Sequence, residues 1–177
     1  MNENKTTKLV SVALITAATA IVSQISIPLP SGSPITLQTL AVAFAGYLLG
    51  MKYGTVSVGV YIALGAVGAP VFTGFTGGFH KFLSPTGGFL WGFLLLALAC
   101  GASNIWKWAK NEKLFAVLLG VAGILLCHLC GIIQFAAVSG TDPVAAAIIC
   151  SLPYLPKDIA CAVAAYFLAH AVKRRLR

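Results

Sequence analysis

The sequence predicts an all-α integral membrane protein: a bundle of six transmembrane helices with both the N-terminus and the C-terminus in the cytoplasm. Of its 177 residues, 59% are hydrophobic and only 9% are charged, and the mean hydropathy is +0.93. Soluble domains carry about 25% charged residues, so water is not the main solvent of this chain. A helix needs about 20 apolar residues to cross the hydrocarbon core, so six crossings leave only short connections. We therefore expect residues 1–177 to form a single transmembrane domain.

The predicted helices are separated by breaks at proline, glycine and charged residues. The first apolar run is followed by Pro28, Pro30 and Pro34, which favour an extended loop. A tight connection at 50–54 separates the second and third helices, whose small residues allow close packing. A short, half-buried stretch ending at Leu152 precedes the last helix. The predicted helices cover about residues 9–27, 35–49, 55–69, 89–106, 114–138 and 157–172.

A long loop at 70–88 interrupts the apolar pattern between the third and fourth helices. Loops of more than about twelve residues in a compact domain are usually functional or disordered, and this loop is too apolar and aromatic for disorder. We therefore predict a structured extracellular loop with a functional role. The residues that prevent a continuous helix here are Gly74, Gly77, Gly78, Pro85, Gly87 and Gly88.

Lysine and arginine residues fall almost entirely on one side of the predicted membrane. That side holds ten of the 12 cationic residues, and the other holds only Lys81 and Lys157. Cytoplasmic loops are enriched in Lys and Arg, so the basic side is predicted to be cytoplasmic. Residues 106–108 (WKW) on that side are typical of a membrane–water interface. This distribution accounts for the net charge of +8 without a nucleic-acid partner.

Polar side chains concentrate at the predicted outer ends of the helices. Buried polar groups in a membrane need partners, so this convergence indicates a ligand cavity open to the outside. For each residue taken singly, solvation at the interface is the alternative. Asp158 is equally explained by a favourable interaction with the helix N-terminus, and Lys81 and Lys157 by snorkelling. The residues concerned are Gln24, Gln38, Thr73, Thr76, His80, Lys81, Thr86, Gln134, Tyr154, Lys157 and Asp158.

No catalytic constellation is evident, so we predict that the chain is not an enzyme. Its three histidines are dispersed, and its five cysteines fall mostly in apolar runs, where free cysteine behaves as a small hydrophobe. Cys127 and Cys130 form a C-x-x-C motif around His128, but redox and zinc versions of that motif need water or further ligands. We therefore predict no metal and no cofactor. Residues 74–81 lack the Gly-Lys-Ser/Thr ending of a nucleotide-binding loop, so active transport requires a partner or an ion gradient.

Five short segments occur in a characteristic order along the chain. They are 34–40 (PITLQTL), 65–72 (GAVGAPVF), 74–78 (GFTGG), 85–88 (PTGG) and 152–158 (LPYLPKD). Together they resemble the BioY family, the biotin-binding S components of energy-coupling-factor (ECF) transporters. The resemblance implies a six-helix protein of the prokaryotic cell membrane that captures biotin from outside. It also implies a transmembrane coupling protein (the T component) and two cytoplasmic ATP-binding subunits as partners.

The resemblance further implies roles for individual residues. Ala13 and Ala17 match a small-residue face of the first helix that docks the coupling protein through close backbone approach. Thr76 and Asp158 match positions near the ureido ring of biotin. A hydroxyl can donate to the ureido carbonyl, and a carboxylate can accept from its two N–H groups.

One departure from the family pattern concerns the ligand carboxylate. The family has a lysine three residues after the aspartate, and this chain has Cys161 there. We therefore expect Lys157, Lys81 or neutral donors to bind that carboxylate. Aromatic side chains are expected to cover the fused rings and the valeryl chain. The other predicted substrate-binding residues are Gln38, Phe75, Gly77, Gly78, Trp91 and Tyr154.

Two other functions stay open on the sequence alone. The first is an S component for a different vitamin, which is favoured only by Cys161 at the expected lysine position. The second is a small membrane enzyme that uses His128 with Cys127 or Cys130, which requires those residues to face water.

Overall fold

A computed structural model describes residues 5–27, 34–105 and 111–175, and this part of the chain is mostly helical, as predicted. The helices are α1 (Lys5–Val22), α2 (Gln38–Ala66), α3 (His80–Leu83), α4 (Gly87–Ala102), α5 (Glu112–Ser139), α6 (Pro143–Cys150) and α7 (Leu155–Arg175). Two short antiparallel strands, β1 (Ser26–Ile27) and β2 (Ile35–Thr36), lie between α1 and α2. Residues 106–108 and the segment with Pro28 and Pro30 lie outside the described residues.

Helix α2 is broken at Gly50, where φ is 81° and ψ is 177°. The chain reverses direction there, because the side-chain amide nitrogen of Gln38 lies 2.7 Å from the hydroxyl of Tyr61. On a straight helix these residues would be about 35 Å apart at a rise of 1.5 Å per residue. A single glycine with positive φ thus provides the tight connection predicted at 50–54, since glycine adopts this conformation without steric cost.

The two halves of α2 are central to the bundle. Helix α2 packs against α1, α4 and α7, while α5 packs against α4, α6 and α7. Glycines permit close approach at the crossings: a Cβ on Gly92 would lie 2.6 Å from the Cα of Cys127, and a Cβ on Gly54 would lie 2.7 Å from the Cα of Gly46. Small residues at such crossings are typical of helices that associate within a membrane.

Four helices of the described part are long and apolar enough to cross a membrane: α1, α2, α5 and α7. Helix α4 is also apolar but shorter, at 16 residues. Large apolar side chains such as Leu9, Leu14, Leu118 and Ile133 are exposed on the outside of the bundle. In water this surface would be unfavourable, whereas lipid is an apolar solvent for it.

Several element boundaries differ from the predicted ones. Helix α1 ends at Val22, well before the predicted residue 27, because the chain enters the β1–β2 pair. The half-buried stretch before the last helix forms α6, whose first turn is capped by Asp142. Its carboxylate accepts hydrogen bonds from the backbone N–H groups of Val144 and Ala145, at 2.9 and 3.3 Å. Pro143 occupies the first helical position, where its missing N–H is not needed.

The long loop between α2 and α4 is ordered and includes the short helix α3. Phe72 and Thr76 exchange two backbone hydrogen bonds, of 2.9 and 3.2 Å, across a tight hairpin. Gly74 and Phe75 in that hairpin have φ values of 73° and 54°. The backbone N–H of Gly78 donates to the carbonyl of Gly65 at 2.7 Å. The loop therefore folds back onto the end of α2.

Candidate functional site

A cavity of about 240 Å³ lies at the end of the bundle where this loop meets the first turns of α2, α4 and α7. Its walls are partly apolar, with Phe72, Phe89 and Phe93, and partly polar. Concave sites with a mainly apolar lining and a few convergent polar groups are typical of small-molecule binding. Six of the predicted ligand-binding residues line it: Gln38, Thr76, Lys81, Tyr154, Lys157 and Asp158.

Asp158 lies in the first turn of α7 and is only 5% exposed. One carboxylate oxygen, Oδ1, accepts a hydrogen bond of 2.5 Å from the hydroxyl of Thr39 and forms an ion pair with the ammonium of Lys157. The other oxygen, Oδ2, lies 3.1 Å from Nε2 of His128. A buried carboxylate is stable in an apolar environment only when it is paired and hydrogen-bonded, and these three contacts satisfy that requirement.

Lys157 is bound to the protein and does not lie free in the cavity. Besides its ion pair with Asp158, its ammonium donates to the backbone carbonyl of Thr36 at 2.8 Å and lies 3.5 Å from the hydroxyl of Thr39. It thereby links the start of α7 to β2 and the start of α2. Of the two lysines expected to replace the lysine missing at Cys161 as the partner of a ligand carboxylate, Lys157 is therefore already engaged by Asp158 and Thr36.

His128 is a member of this site that the sequence reasoning did not assign to it. It lies on α5, 30 residues before Asp158, and is 3% exposed. Its Nδ1 lies 2.8 Å from the hydroxyl oxygen of Ser151, and its ring meets the Phe89 ring edge-on at 5.6 Å. No local motif connects such distant residues. The one available signal was the helical spacing of Ile124, His128 and Gly131, which places His128 on the buried face of α5.

The loop forms another part of the cavity wall, which carries fewer contacts. The hydroxyl of Thr76 donates to the carbonyl of Thr73 at 3.0 Å within the hairpin. Gln38 donates to Tyr61, and its carbonyl oxygen lies 3.4 Å from the hydroxyl of Thr73. Within the described ranges, the ammonium of Lys81 has no hydrogen-bond acceptor or carboxylate in contact. Lys81 is therefore available to a ligand, in contrast to Lys157.

Five of the predicted binding residues do not line the cavity. Phe75 is 73% exposed at the hairpin tip, and Trp91 is 50% exposed on α4, where it packs edge-on against Phe82 at 5.4 Å. Gly77 and Gly78 shape the loop instead: a side chain on Gly77 would meet the carbonyl of Ala69, and Gly78 has φ 105°. Cys161 is buried one helical turn after Asp158.

Two glutamines of the predicted polar cluster hold the loop in place. The amide nitrogen of Gln24 donates to the carbonyl of Val71 at 3.1 Å, and its oxygen accepts from the N–H of Phe75 at 2.8 Å. From α5, the amide nitrogen of Gln134 donates to the carbonyls of Phe82 and Ser84, at 2.5 and 2.8 Å. These side chains satisfy loop carbonyls that have no helical partner.

The C-x-x-C motif does not form a metal site with other residues of the described ranges, in which no three His, Cys, Asp or Glu side chains are placed to hold an ion. His128 contacts Ser151 and Asp158, whereas Cys127 lies 3.7 Å from the carbonyl of Phe89. The histidine is thus part of the polar network under the cavity.

A second, larger cavity of about 840 Å³ lies at the other end of the bundle, around the break at Gly50. Lys173 there donates to the carbonyl of Tyr47 and to the amide oxygen of Asn104, both at 2.7 Å. These bonds satisfy a helix carbonyl beside the break, which is a structural role. The first cavity combines a buried carboxylate with an available ammonium, and we therefore place the candidate site there.

The whole chain, residues 1–177, matches the model of the BioY family. The biotin transporter BioY of Thermotoga maritima is 41% identical over 127 residues, which cover 71% of this chain and 72% of that protein. A probable biotin transporter BioY of Pyrococcus horikoshii is 35% identical over 162 residues, or 92% of this chain and 93% of that protein. The crystal structure of the S-component for biotin from an ECF-type ABC transporter superimposes with a TM-score of 0.83 and 29% identity. The superposition covers 98% of this chain and 94% of that one, which confirms the predicted helical membrane fold.

Proposed function

The chain belongs to the BioY family, and we propose that it is the substrate-capturing S component of an ECF-type transporter, which binds biotin at the cavity beside Asp158. It is a transporter subunit and not an enzyme. The observation that carries this function is the pairing, across one cavity, of a buried carboxylate with an available ammonium. Biotin presents complementary groups at its two ends: a ureido ring with two N–H donors, and a carboxylate.

The ureido ring is bound at the part of the cavity wall formed by Asp158 and its partners, which we call the Asp158 wall. Each carboxylate oxygen can accept about two hydrogen bonds, and Oδ2 of Asp158 accepts one, from His128, among the described residues. Its remaining lone pair is the acceptor for a ureido N–H. The hydroxyl of Thr76, which now bonds within its own hairpin, is the donor for the ureido carbonyl.

The ligand carboxylate is bound by Lys81, and the rings lie against the aromatic wall. Lys157 is less suited to the carboxylate because Asp158 and the carbonyl of Thr36 already occupy it. Charge-assisted hydrogen bonds are about twice as strong as neutral ones, so one ammonium is sufficient to orient the valeryl chain. Phe72, Phe89 and Tyr154 line the cavity and cover the fused rings.

The break at Gly50 supports the proposal of six membrane spans. Divided there, α2 supplies two antiparallel spans, which join α1, α4, α5 and α7. The cations Lys8 and Lys52 lie within 6 Å of the Tyr53 ring, far from the cavity, at 5.4 and 5.8 Å from its centroid. By the positive-inside rule that end, with both termini, faces the prokaryotic cytoplasm, and the 70–88 loop faces outward.

The transmembrane coupling protein docks on α1, and two cytoplasmic ATPases supply the energy. The buried face of α1 is bound to α2, since the hydroxyl of Thr16 donates to the carbonyl of Ser57 at 3.0 Å. Ala13 and Ala17 are exposed on another face of the same helix. Small exposed residues one turn apart allow a second helix to approach closely.

Biotin titration of the purified, detergent-solubilised protein by calorimetry tests the function. We expect saturable binding at one site, with no displacement by thiamine or riboflavin. Displacement by either vitamin, without a response to biotin, would assign the chain to another substrate. If no vitamin gives a binding signal, the proposed function is wrong.

Replacing Ala13 and Ala17 by leucine tests the docking face. We expect biotin affinity to stay within about twofold, because the exposed face is far from the cavity, while uptake by cells that express the complete transporter falls about tenfold or more. Leu14→Ala is the matched control on the same helix. Normal uptake by the alanine-to-leucine variant would exclude this face as the docking site.

A further inference from the structure

A chain of hydrogen bonds runs behind the cavity wall from Ser151 through His128 to Asp158. The two distances are 2.8 Å, from Ser151 Oγ to His128 Nδ1, and 3.1 Å, from His128 Nε2 to Asp158 Oδ2. All three side chains are buried. Asp158 lines the cavity, whereas His128 and Ser151 do not. His128 can therefore act on a ligand only indirectly, through the Asp158 carboxylate or through the Phe89 ring, which contacts His128 and also lines the cavity.

The chemistry of the acceptor fixes the proton positions in this chain. An ionised carboxylate only accepts hydrogen bonds, so Nε2 of His128 carries the hydrogen and donates it to Asp158. In the neutral imidazole Nδ1 is then an acceptor, and the hydroxyl of Ser151 donates to it. The carboxylate thus determines the proton positions, and the contact with Ser151 helps to hold the ring with Nε2 towards Asp158.

The backbone of Ser151 ties this arrangement to the start of α7. Its carbonyl accepts from the N–H groups of Tyr154 and Leu155, both at 3.0 Å, and the carbonyl of Tyr154 accepts from the N–H of Asp158 at 2.9 Å. The residue that orients His128 therefore also positions the helical turn that carries Asp158.

The two oxygens of Asp158 are held differently. Oδ1 is fixed by Thr39 and Lys157, which come from α2 and α7. In the described part of the chain, Oδ2 has a single partner, His128 on α5. Thr39 and Lys157 thus restrain the carboxylate at Oδ1, and His128 is the described contact that restrains it at Oδ2. That oxygen is the one with acceptor capacity left for a ligand.

We infer that His128, oriented by Ser151, is a positioning residue that presents Oδ2 of Asp158 to a ureido N–H and thereby sets the selectivity of the site for cyclic ureas. This inference rests on the proposed biotin-binding function. Residues behind a ligand-contacting group that fix its orientation commonly change affinity by 10- to 100-fold when they are replaced, as is known for metal sites.

The test compares His128→Leu with His128→Gln. Leucine removes the donor, while the glutamine amide can still donate to Asp158 and accept from Ser151. By calorimetry we expect His128→Leu to bind biotin about 10- to 100-fold more weakly and His128→Gln to recover at least part of that loss. Ser151→Ala, which leaves the histidine in place, should weaken binding by a smaller factor. If His128→Leu does not fold, the biotin affinity of Ser151→Ala still tests the inference, and an unchanged affinity would contradict it.

Ligand analogues separate positioning from a general structural defect. Biotin methylated on a ureido nitrogen lacks one N–H donor, and biotin methyl ester lacks the carboxylate. In His128→Leu the preference for biotin over the methylated urea should shrink towards one, whereas the preference for biotin over the ester should stay at the wild-type ratio. Equal weakening of all three ligands would overturn the inference.

A double-mutant comparison with Asp158→Asn tests whether the histidine acts through the aspartate. If it does, His128→Leu should weaken biotin binding by less than about threefold when Asp158→Asn is already present. If the losses of affinity caused by the two substitutions are fully additive, the inference about His128 is wrong. The proposed biotin-binding function would not be affected by that result. If the wild type itself binds no biotin, the proposed function is wrong, and this inference is wrong with it.

Discussion

The two polar walls of the cavity differ in how far they are organised before a ligand arrives. On the Asp158 wall, side chains from α2, α5 and α7 converge on one buried carboxylate. On the loop wall, Thr76 bonds within its own hairpin, and the ammonium of Lys81 contacts no acceptor in the described ranges. Fixed groups lose little conformational entropy on binding, whereas a long lysine side chain loses more. We therefore expect the helices to determine selectivity and the loop to provide a charge that adjusts to the ligand.

Asp158→Asn breaks the organised wall and has the largest expected effect. The amide replaces a charged acceptor, and it leaves the ammonium of Lys157 without its ion-pair partner. Hydrogen bonds to charged groups contribute about 1.5–3 kcal/mol each. We expect biotin affinity to fall about 100-fold or more in calorimetric titrations.

Glu112→Gln is the matched control for this loss of a carboxylate. Glu112 lies at the start of α5, beside the second cavity at the other end of the bundle. Its replacement should leave affinity unchanged. An affinity of the Asp158→Asn variant within threefold of the wild type would remove Asp158 from the binding site.

Lys81→Met tests the loop wall, with an intermediate effect. Methionine keeps much of the side-chain length but not the charge, so biotin affinity should fall about tenfold while affinity for biotin methyl ester stays the same. Lys113→Met, an exposed lysine on α5, is the control. If the ester and the acid weaken by the same factor, Lys81 does not bind the ligand carboxylate.

Trp91→Phe has the smallest expected effect, because Trp91 faces outward and lies outside both walls. Affinity should stay within about twofold, as is usual for substitutions away from a site. Phe89→Leu is the informative comparison, since Phe89 lines the cavity and packs against His128. That variant should lose more affinity than Trp91→Phe. A reversed order would indicate that α4 presents a different face to the ligand.

The sequence allowed the helical fold and the polar end of the bundle to be predicted, because apolar runs and their breaks are local signals. Thr76 and Asp158 line one cavity, and their contacts with the ureido ring stay a prediction. The direction in which α4 faces was not predictable: its 16 residues are apolar on every side, so no periodicity distinguishes Trp91 from Phe89.

The polar network around Asp158 also lay beyond sequence reasoning. His128 and Asp158 are 30 residues apart, and their contact depends on how α5 packs against α7. The engagement of Lys157 by Thr36 depends in the same way on tertiary packing, across 121 residues of sequence. Such pairs become visible only when the helices are assembled.

The side chains of Ser23 and Gln24 connect the end of α1 to the 70–88 loop. Ser23 and Gln24 follow α1 directly, and three of their hydrogen bonds reach the loop: two to the carbonyl of Val71 and one from the N–H of Phe75. If the end of α1 beside the loop tilts, the hairpin must either move with it or lose all three bonds. A movement of this helix is therefore coupled to a movement of the loop at the edge of the cavity.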